Sequence, residues 1–328
     1  MKTGSESARK WYGAPLIFDP LEGKTVMEPP EEGRGYWAGA PSVLYDDETK
    51  KFYLYYRVRK PRPVRGGACH IAASEDGITF HDIWGATKED LDSPSVERFC
   101  LTKSLDGKWL LYPSYVDPQT NRWRTDVVEA KSPDAFDLSE SEELFATEQV
   151  GVQGVKDPWV MIVNGLYYML ISYAMSLDIS SPEDRKRMHA TADIYNTGLT
   201  LSSTALAVSG DGRRYEWKGD IFPPRKGAWD AYAARLGCLV PTENGWMGYY
   251  DGAASVEENY EERTGMAQTW DLTHFYRLSQ QGPSIVSPHG SGGLRYIDAI
   301  VFDGEIYFYY EFCRADGSHE LRLNRVQI

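Results

Sequence analysis

The sequence predicts an all-β protein, a five-bladed β-propeller, because one strand–turn–strand design recurs five times along its 328 residues. Four of the tight turns are Asx-Gly pairs, 58, 80 and 59 residues apart, and a turn without glycine precedes them. Asn-Gly and Asp-Gly between apolar runs favour two-residue hairpins. An aromatic run follows each turn, and so small a sheet buries its faces only by stacking on copies of itself. The five turns are Asp46–Lys50, Asp106–Gly107, Asn164–Gly165, Asn244–Gly245 and Asp303–Gly304.

The repeat predicts a single domain over residues 1–328. The expected blades cover about 36–90, 95–150, 154–225, 230–282 and 293–328. The chain ends directly after the third strand of the fifth blade. We therefore expect the segment Tyr12–Phe18 to supply the fourth strand, which would close the ring and remove its exposed edges. Turns of the type Ser74–Asp76, which recur after the third strands, are interpreted as hydrogen-bonded connections without a catalytic role.

Composition narrows the classes of partner. The net charge of −13 argues against nucleic acid or an anionic membrane. The sequence has no apolar run long enough to span a membrane, and its first ten residues lack the apolar core of a secretory signal. Four cysteines are scattered singly along predicted strands, which favours a reduced, cytoplasmic protein, although a secreted chain trimmed of its signal would look the same.

The loops between the second and third strands of the blades are the longest in the chain, and they share one face of the predicted ring. The loop of the third blade, Met175–Gly198, carries an insert that accounts for the 80-residue spacing. Its Ser-Pro-Glu-Asp sequence is a helix-start signal. We expect these loops to build a funnel around the axis, with a short helix near Pro182–His189 in a lid.

Three carboxylates are predicted at the inner ends of strands on that face: Asp157, Asp251 and Glu311. Alignment of the second strands on their aromatic pairs gives Arg57, Asp251 and Glu311 one equivalent position. These groups either carry chemistry or form an ion-pair network that holds the ring together. Solvated or structural roles are favoured for several other polar residues, namely Glu97, Asp230, Asp298, the acidic pair Glu261–Glu262, and His319.

Paired carboxylates at the mouth of such a ring point to glycosyl transfer. One carboxylic acid protonates the leaving oxygen, and a second group activates water or attacks from the other side. Aromatic side chains at the same rim are candidates for stacking on sugar rings, and each is equally consistent with packing. These side chains are Tyr36, Trp37, Trp159, Trp229 and Tyr296.

The repeat and the Lys156-Asp157-Pro158 strand together resemble the five-bladed propeller glycosidases, which comprise glycoside hydrolase families 43, 32 and 68, 117 and 130. The resemblance implies that Asp157 stabilises the transition state or acts as the acid. The sequence departs from families 43 and 32 in the first blade, where their Asp-Pro is replaced by Ala40-Pro41. Either another carboxylate has taken over that role, or the nucleophile is inorganic phosphate, as in the mannoside phosphorylases of family 130.

Basic residues bear on this choice. They crowd the end of the second strand and the loop of the first blade, and they recur at the first strands of later blades. Arginine clusters recognise anionic groups, so a small carbohydrate with an anionic group is one interpretation and pairing with the carboxylates is the other. We expect no metal, no cofactor and a sugar ligand, and a non-catalytic carbohydrate-binding propeller remains an alternative. The basic residues are Arg57, Arg59, Lys60, Arg62, Arg65, Lys156, Arg235 and Arg295, with His289 in a loop that can reach a ligand.

Overall fold

The computed structural model describes residues 16–328, and most of their regular secondary structure is β-strand, which confirms the predicted class. Twenty-one strands follow one another in this described part of the chain. Apart from a first short strand, β1, they form five groups of consecutive antiparallel strands, here called groups I to V. Group I contains β2 (Trp37–Asp46), β3 (Lys51–Lys60), β4 (Arg65–Ser74) and β5 (His81–Thr87). Group II contains β6 (Cys100–Lys103), β7 (Trp109–Tyr112), β8 (Ser114–Val116), β9 (Trp123–Ala130) and β10 (Glu142–Glu143).

The later groups have the same meander. Group III contains β11 (Gly154–Val163), β12 (Leu166–Ala174), β13 (Ser202–Ser209) and β14 (Tyr215–Phe222). Group IV contains β15 (Ala233–Thr242), β16 (Gly245–Ala253), β17 (Arg263–Thr269) and β18 (Phe275–Arg277). Group V contains β19 (Leu294–Phe302), β20 (Glu305–Cys313) and β21 (His319–Gln327). Single parallel pairs, Ser202 with Ala233 and Trp37 with His319, join group III to IV and group V to I.

The strand beside β21 is β1 (Lys24–Met27), not the predicted Tyr12–Phe18. Within that predicted segment, residues 12–15 lie outside the described part of the chain, and 16–18 belong to no strand. Phe18 instead packs into the core, 5.0 Å from the rings of both Phe308 and Tyr310. The apolar side chain of Phe18 therefore serves core packing, and the more polar β1 pairs with the edge of group V.

The tight turns follow the local chemistry of their residues. At Asn164–Gly165 and Asp303–Gly304 both central residues have positive φ, as a type I′ hairpin requires. At the other two Asx-Gly turns only Gly107 and Gly245 do so. The Ser/Thr-x-Asp turns are hydrogen-bonded as predicted: Asp76 Oδ1 accepts from two backbone amides at 2.8 Å, and these bonds lower the pKa of Asp76 to about 2.

Helices are few and short among the described residues. They are α1 (Thr147–Val150) and α2 (Pro182–Arg187), with 3-10 turns at Pro20–Glu22, Lys88–Leu91, Leu138–Glu140, Ile194–Asn196 and Val256–Glu258. The helix α2 confirms the predicted start signal, since Ser181 caps it and accepts a hydrogen bond from the amide of Asp184. No helix in the described range could cross a membrane. All four cysteines are buried and free.

Candidate active site

The first strands of groups I, III, IV and V share an irregularity close to their first residues. In each, the pairing with the second strand skips at one point, so the first strand bulges. A bulge re-aims side chains and raises the local twist. Three of the bulged residues adopt the left-handed backbone conformation: Ala40 at φ 53°, Asp157 at φ 57° and Tyr296 at φ 53°. Ala40 therefore occupies the position that Asp157 holds in group III.

At an equivalent register position close to each bulge, one residue of the first strand faces one residue of the second strand. Arg57 faces Gly39, Asp251 faces Arg235, and Glu311 faces Arg295. This register confirms the equivalence of Arg57, Asp251 and Glu311 that the aromatic pairs predict. The same position in group III holds a serine, Ser172.

These positions converge on one buried cluster of charged and aromatic groups, here called the central network. Its members come from groups I, III, IV and V and from two connecting segments, which hold Glu97, just before β6, and Glu262, just before β17. Hydrogen bonds, ion pairs or ring contacts connect them. The members are Trp37, Arg57, Glu97, Lys156, Asp157, Arg235, Asp251, Glu262, Arg295, Tyr296, Glu311 and His319.

Asp157 lies opposite Glu97 across a phenol. Its Oδ2 is 3.0 Å from Lys156 Nζ and 3.3 Å from the Tyr296 hydroxyl, which is itself 3.2 Å from Glu97 Oε1. Burial and the charge of Asp157 raise the pKa of Tyr296 well above its ordinary value, so the phenol stays protonated. It donates its single proton to one carboxylate at a time. Glu97, for which the sequence favours a solvated or structural role, is therefore a buried member of the site and is not solvated.

Asp251 is a buried carboxyl without a cation in contact. Both of its oxygens accept from the Tyr296 amide, at 3.0 and 3.1 Å. Among the described residues, no Lys, Arg or His nitrogen forms an ion pair with it. Burial, together with the negative charge of Glu262, raises the pKa of Asp251 to about 7. A carboxyl of this kind holds a proton near neutral pH, as a general acid must.

Glu311 has the opposite electrostatic setting. Three cations bind it: Arg295 at 2.8 Å, His319 at 2.8 Å and Arg57 at 3.3 Å. Burial alone would raise the pKa of Glu311, but Arg295 and the other partners hold it well below its usual value. Gly39 leaves room for this carboxylate, because a Cβ there would overlap it. Glu311 therefore fits the ion-pair interpretation, and its environment suits a permanent anion.

The expectation that Glu261–Glu262 forms a solvated loop is wrong. Glu262 is fully buried and bridges Arg235 and Arg295, at 2.6 Å from each. Glu261 lies 3.2 Å from His319. The loop folds inward because two buried arginines from neighbouring groups need a counter-charge, a requirement that local sequence does not reveal. The pKa of Glu262 falls to about 2, since Arg295 and Arg235 outweigh its burial.

His319 belongs to the network and also to a potential metal-ligand set. Donor atoms of Glu261, Cys313 and His319 lie within 4.8 Å of one another. Both ring nitrogens of His319 are already bonded to carboxylates, Glu311 on one side and Glu261 on the other. These bonds, against the opposing effect of burial, raise the pKa of His319 to about 10. The His319 side chain is therefore an imidazolium that lies between two carboxylates.

The predicted sugar platforms divide into two sets. Trp37 and Tyr296 belong to the network: Trp37 stacks on His319 at 4.7 Å and lies under Arg295 at 4.8 Å. The expectation fails for Trp159, which lies in the hydrophobic core and donates to Asp298 at 2.8 Å. Trp159 is packed because β11 places its side chain in the core. Trp229, in the loop before β15, is only partly buried; it stacks on Tyr250 at 5.5 Å and lies outside the network, and its role as a platform stays a prediction.

Three further polar candidates lie in other settings. The side chains of Tyr36 and His289 make no hydrogen bond to the network in the described structure; His289 packs edge-on to Phe312, 6.0 Å away. Asp230 pairs with Arg225 at 2.9 Å, a structural role that the sequence favours.

Loops cover the network. Tyr195, in the segment Met175–Gly198, lies 5.0 Å from the cations of both Lys156 and Arg235. Asn259, in the loop after β16, bonds Arg235 and Asn196, each at 2.9 Å. The prediction of a lid over the site is confirmed by these contacts. The network's charged groups are all nearly inaccessible, so the described conformation is closed.

Comparison with known proteins adds the fold. No known family profile and no curated protein matches the chain, whereas many solved structures do. A β-1,2-mannobiose phosphorylase from Listeria innocua, in complex with β-1,2-mannobiose, shares 18% identity over 94% of both chains, with a TM-score of 0.58. A family 130 structure, reported with hydrolases that target β-1,2-mannosidic linkages in Candida mannan, shares 16% identity over 94% of this chain and 95% of its own, at 0.61.

A third structure, a glycoside hydrolase, shares 12% identity over 99% of this chain and 96% of its own, with a TM-score of 0.67. The fold is that of these glycoside-processing enzymes. The resemblance drawn from the repeat and the Asp157 strand is thereby confirmed at the level of fold. At these identities the likeness carries no residue roles, which rest on the geometry of the site.

Proposed function

We propose that the protein is a glycoside hydrolase whose five strand groups form the blades of a five-bladed propeller around an axial funnel. The recurring bulges and the shared positions of Arg57, Asp251 and Glu311 support one repeated unit per group. The pairing of β1 with β21 supports ring closure by an N-terminal strand. The central network would then lie at the axis, where groups I, III, IV and V contribute and Glu97 reaches in from the segment before β6.

One observation carries the enzymatic proposal: Asp251 is a buried carboxyl with no counter-ion among residues 16–328, and it is connected to Asp157 through Tyr296. A module that only binds sugars gains nothing from burying such a group, because burial of an unpaired carboxyl costs stability. A hydrolase needs it as the proton donor. Asp157 supplies the second carboxylate that acid–base chemistry at a glycosidic bond requires.

In the proposed reaction Asp251 donates its proton to the glycosidic oxygen as the bond from that oxygen to the anomeric carbon breaks. A water molecule attacks the anomeric carbon from the opposite face and gives a proton to Asp157. The ammonium of Lys156 contacts the Asp157 carboxylate at 3.0 Å. The product is an inverted sugar and a free alcohol. Glu311 holds Arg57 and Arg295 in place.

A glycoside phosphorylase is the second candidate, and Ala40 favours it. Ala40 occupies the bulge position in group I where families 43 and 32 have their base or nucleophile, and it offers no functional group. Inorganic phosphate would then be the nucleophile and would make a base unnecessary, as in the mannoside phosphorylases of family 130. We favour hydrolysis because Arg57, Arg235 and Arg295 are already paired with carboxylates and because phosphorolysis leaves fewer of those carboxylates with a role.

A screen of aryl glycosides and oligosaccharides, with and without inorganic phosphate, tests the proposal. We expect turnover without phosphate. The variants Asp157→Asn and Asp251→Asn should each lower kcat by at least about a hundredfold while the fold is retained. Asp82→Asn, at a half-exposed carboxylate of group I, is the matched control and should keep full activity. Full activity in Asp157→Asn would remove the assignment.

A further inference from the structure

One cation beside the central network has no counter-ion. Arg59 lies two residues after Arg57 on β3, hence on the same side of the strand and about 7 Å farther along it. It is only 5% exposed. Among residues 16–328, none donates or accepts a hydrogen bond or forms an ion pair with its guanidinium. Burial of an arginine in this state is costly unless something else binds it.

The two rings beside Arg59 define its free edge. Trp37 lies 4.7 Å and Tyr260 lies 4.5 Å from the guanidinium carbon, so aromatic rings pack against the cation. The N–H groups in the guanidinium plane remain for a ligand. Partnerless nitrogens of Arg57 and Arg295 are sealed from solvent, whereas those of Arg59 are not. The free edge of Arg59 is therefore not fully sealed, although the residue is only 5% exposed in this closed conformation.

The neighbouring charges limit what fits there. Arg57 is paired with Glu97 and Glu311, and Arg295 with Glu262 and Glu311. Asp193 is the carboxylate whose charge acts most strongly on Arg59. It already pairs with Arg62 and Arg65 and accepts a hydrogen bond from Tyr260. Arg59 itself therefore carries one positive charge that no carboxylate of residues 16–328 pairs with. A monoanion with two coplanar oxygens, a carboxylate, matches a guanidinium fork in both charge and geometry.

We propose that Arg59 binds the carboxylate of an acidic sugar, a uronic acid unit of the substrate. The inference rests on the proposed function and gives it a substrate class. The position supports recognition rather than chemistry, because Arg59 is displaced along β3 from the row that contains Arg57, Asp251 and Glu311. Tyr260 belongs to the covering loop and bonds Asp193 in the lid, so a carboxylate at Arg59 would be held where lid and loop meet.

Calorimetric titration of the full chain with free sugars tests this. The probes are glucuronate, galacturonate and mannuronate, their neutral parent hexoses, and inorganic phosphate. We expect at least one uronate to bind about 10- to 100-fold more tightly than its neutral parent. Arg59→Met keeps the apolar stem between the rings and removes the fork, and it should abolish that preference. Lys60→Ala, at the next residue, whose exposed ammonium pairs with Glu31, should retain it.

Three results would overturn the proposal: no uronate preference in the wild-type protein, an unchanged preference in Arg59→Met, or Arg59-dependent binding of phosphate without uronate binding. If Arg59→Met fails to fold by thermal melting, Arg59→Lys replaces it and should lose about tenfold in affinity. Binding of a free sugar needs no turnover. A failure of the hydrolase proposal therefore leaves this measurement interpretable, and the reverse also holds.

Discussion

Replacement of Asp251 by asparagine should stabilise the folded protein at pH 8. The side chain is buried without a cation, and its pKa is raised from 3.8 to about 7. Between these two values the folded state keeps a proton that the unfolded state has lost, so this group's contribution to stability falls as the pH rises. Above pH 7 the folded protein must hold a buried, unpaired charge. Asparagine has the same shape and never ionises.

The size of the effect follows from linkage. A shift of about three pKa units corresponds to about 4 kcal/mol at full ionisation, which is an upper bound. Asparagine keeps one oxygen to accept from the Tyr296 amide and turns an NH2 group towards it on the other side. We therefore expect a net gain of about 1–3 kcal/mol in the free energy of unfolding at pH 8. The gain should shrink towards zero near pH 4.

Urea denaturation of the wild type and of the variant at pH 4, 6 and 8 measures this difference. Glu311→Gln is the matched control, because it also neutralises a buried carboxylate of the network. Glu311 has a depressed pKa, so it stabilises the fold above the ordinary pKa of glutamate, and its loss should cost about 3–5 kcal/mol at pH 8. If Asp251→Asn is destabilised as much as Glu311→Gln, Asp251 is an ion-pair partner and the acid assignment is wrong.

Three further outcomes follow from the contacts. Gly39→Ala should destabilise the protein by about 1–3 kcal/mol or more in thermal melts and should disturb activity, because its Cβ would overlap Glu311; an unchanged melting temperature would contradict the close packing. His319→Gln should lower stability at pH 6 and lose that effect towards pH 10, because the raised pKa stabilises the fold only while the ring is protonated; a pH-independent loss would refute the imidazolium. Deletion of residues 1–27 should lower the melting temperature by several degrees by uncovering β21, whereas deletion of residues 1–15 leaves every described contact of β1; equal melting of the two would argue against closure by β1.

Local patterns predict the strands, the hairpin turns and the lid helix, because alternation, Asx-Gly pairs and capping residues act over a few positions. The shared position of Arg57, Asp251 and Glu311 was also predictable, since their strands carry the same aromatic pair before each of them. A repeated unit places equivalent residues at equivalent sites. Alignment of the repeated units on their aromatic pairs is therefore enough to predict that these three network members occupy equivalent positions.

Long-range partners were not predictable in this way. The pair Glu261–Glu262 looks like a solvated acidic run, and only the folded loop places Glu262 between two arginines from different groups. The same applies to β1, which is more polar than Tyr12–Phe18 and yet pairs with β21, because strand pairing depends on the edge that is available. Trp159 shows the converse error, since aromatic character alone does not separate packing from exposure.

Isotope labelling of the products tests the central claim most directly. A glycan that the screen shows to be a substrate is incubated with the protein in H₂¹⁸O, with and without phosphate. The products are analysed by mass spectrometry, and the anomer that forms first is identified by NMR. In reactions without phosphate, the account predicts that ¹⁸O is bonded to the anomeric carbon of the released sugar and that the anomeric configuration is inverted. Asp157→Asn and Asp251→Asn should abolish formation of this labelled product. A sugar 1-phosphate formed only when phosphate is present, with no ¹⁸O at the anomeric carbon, would contradict hydrolysis.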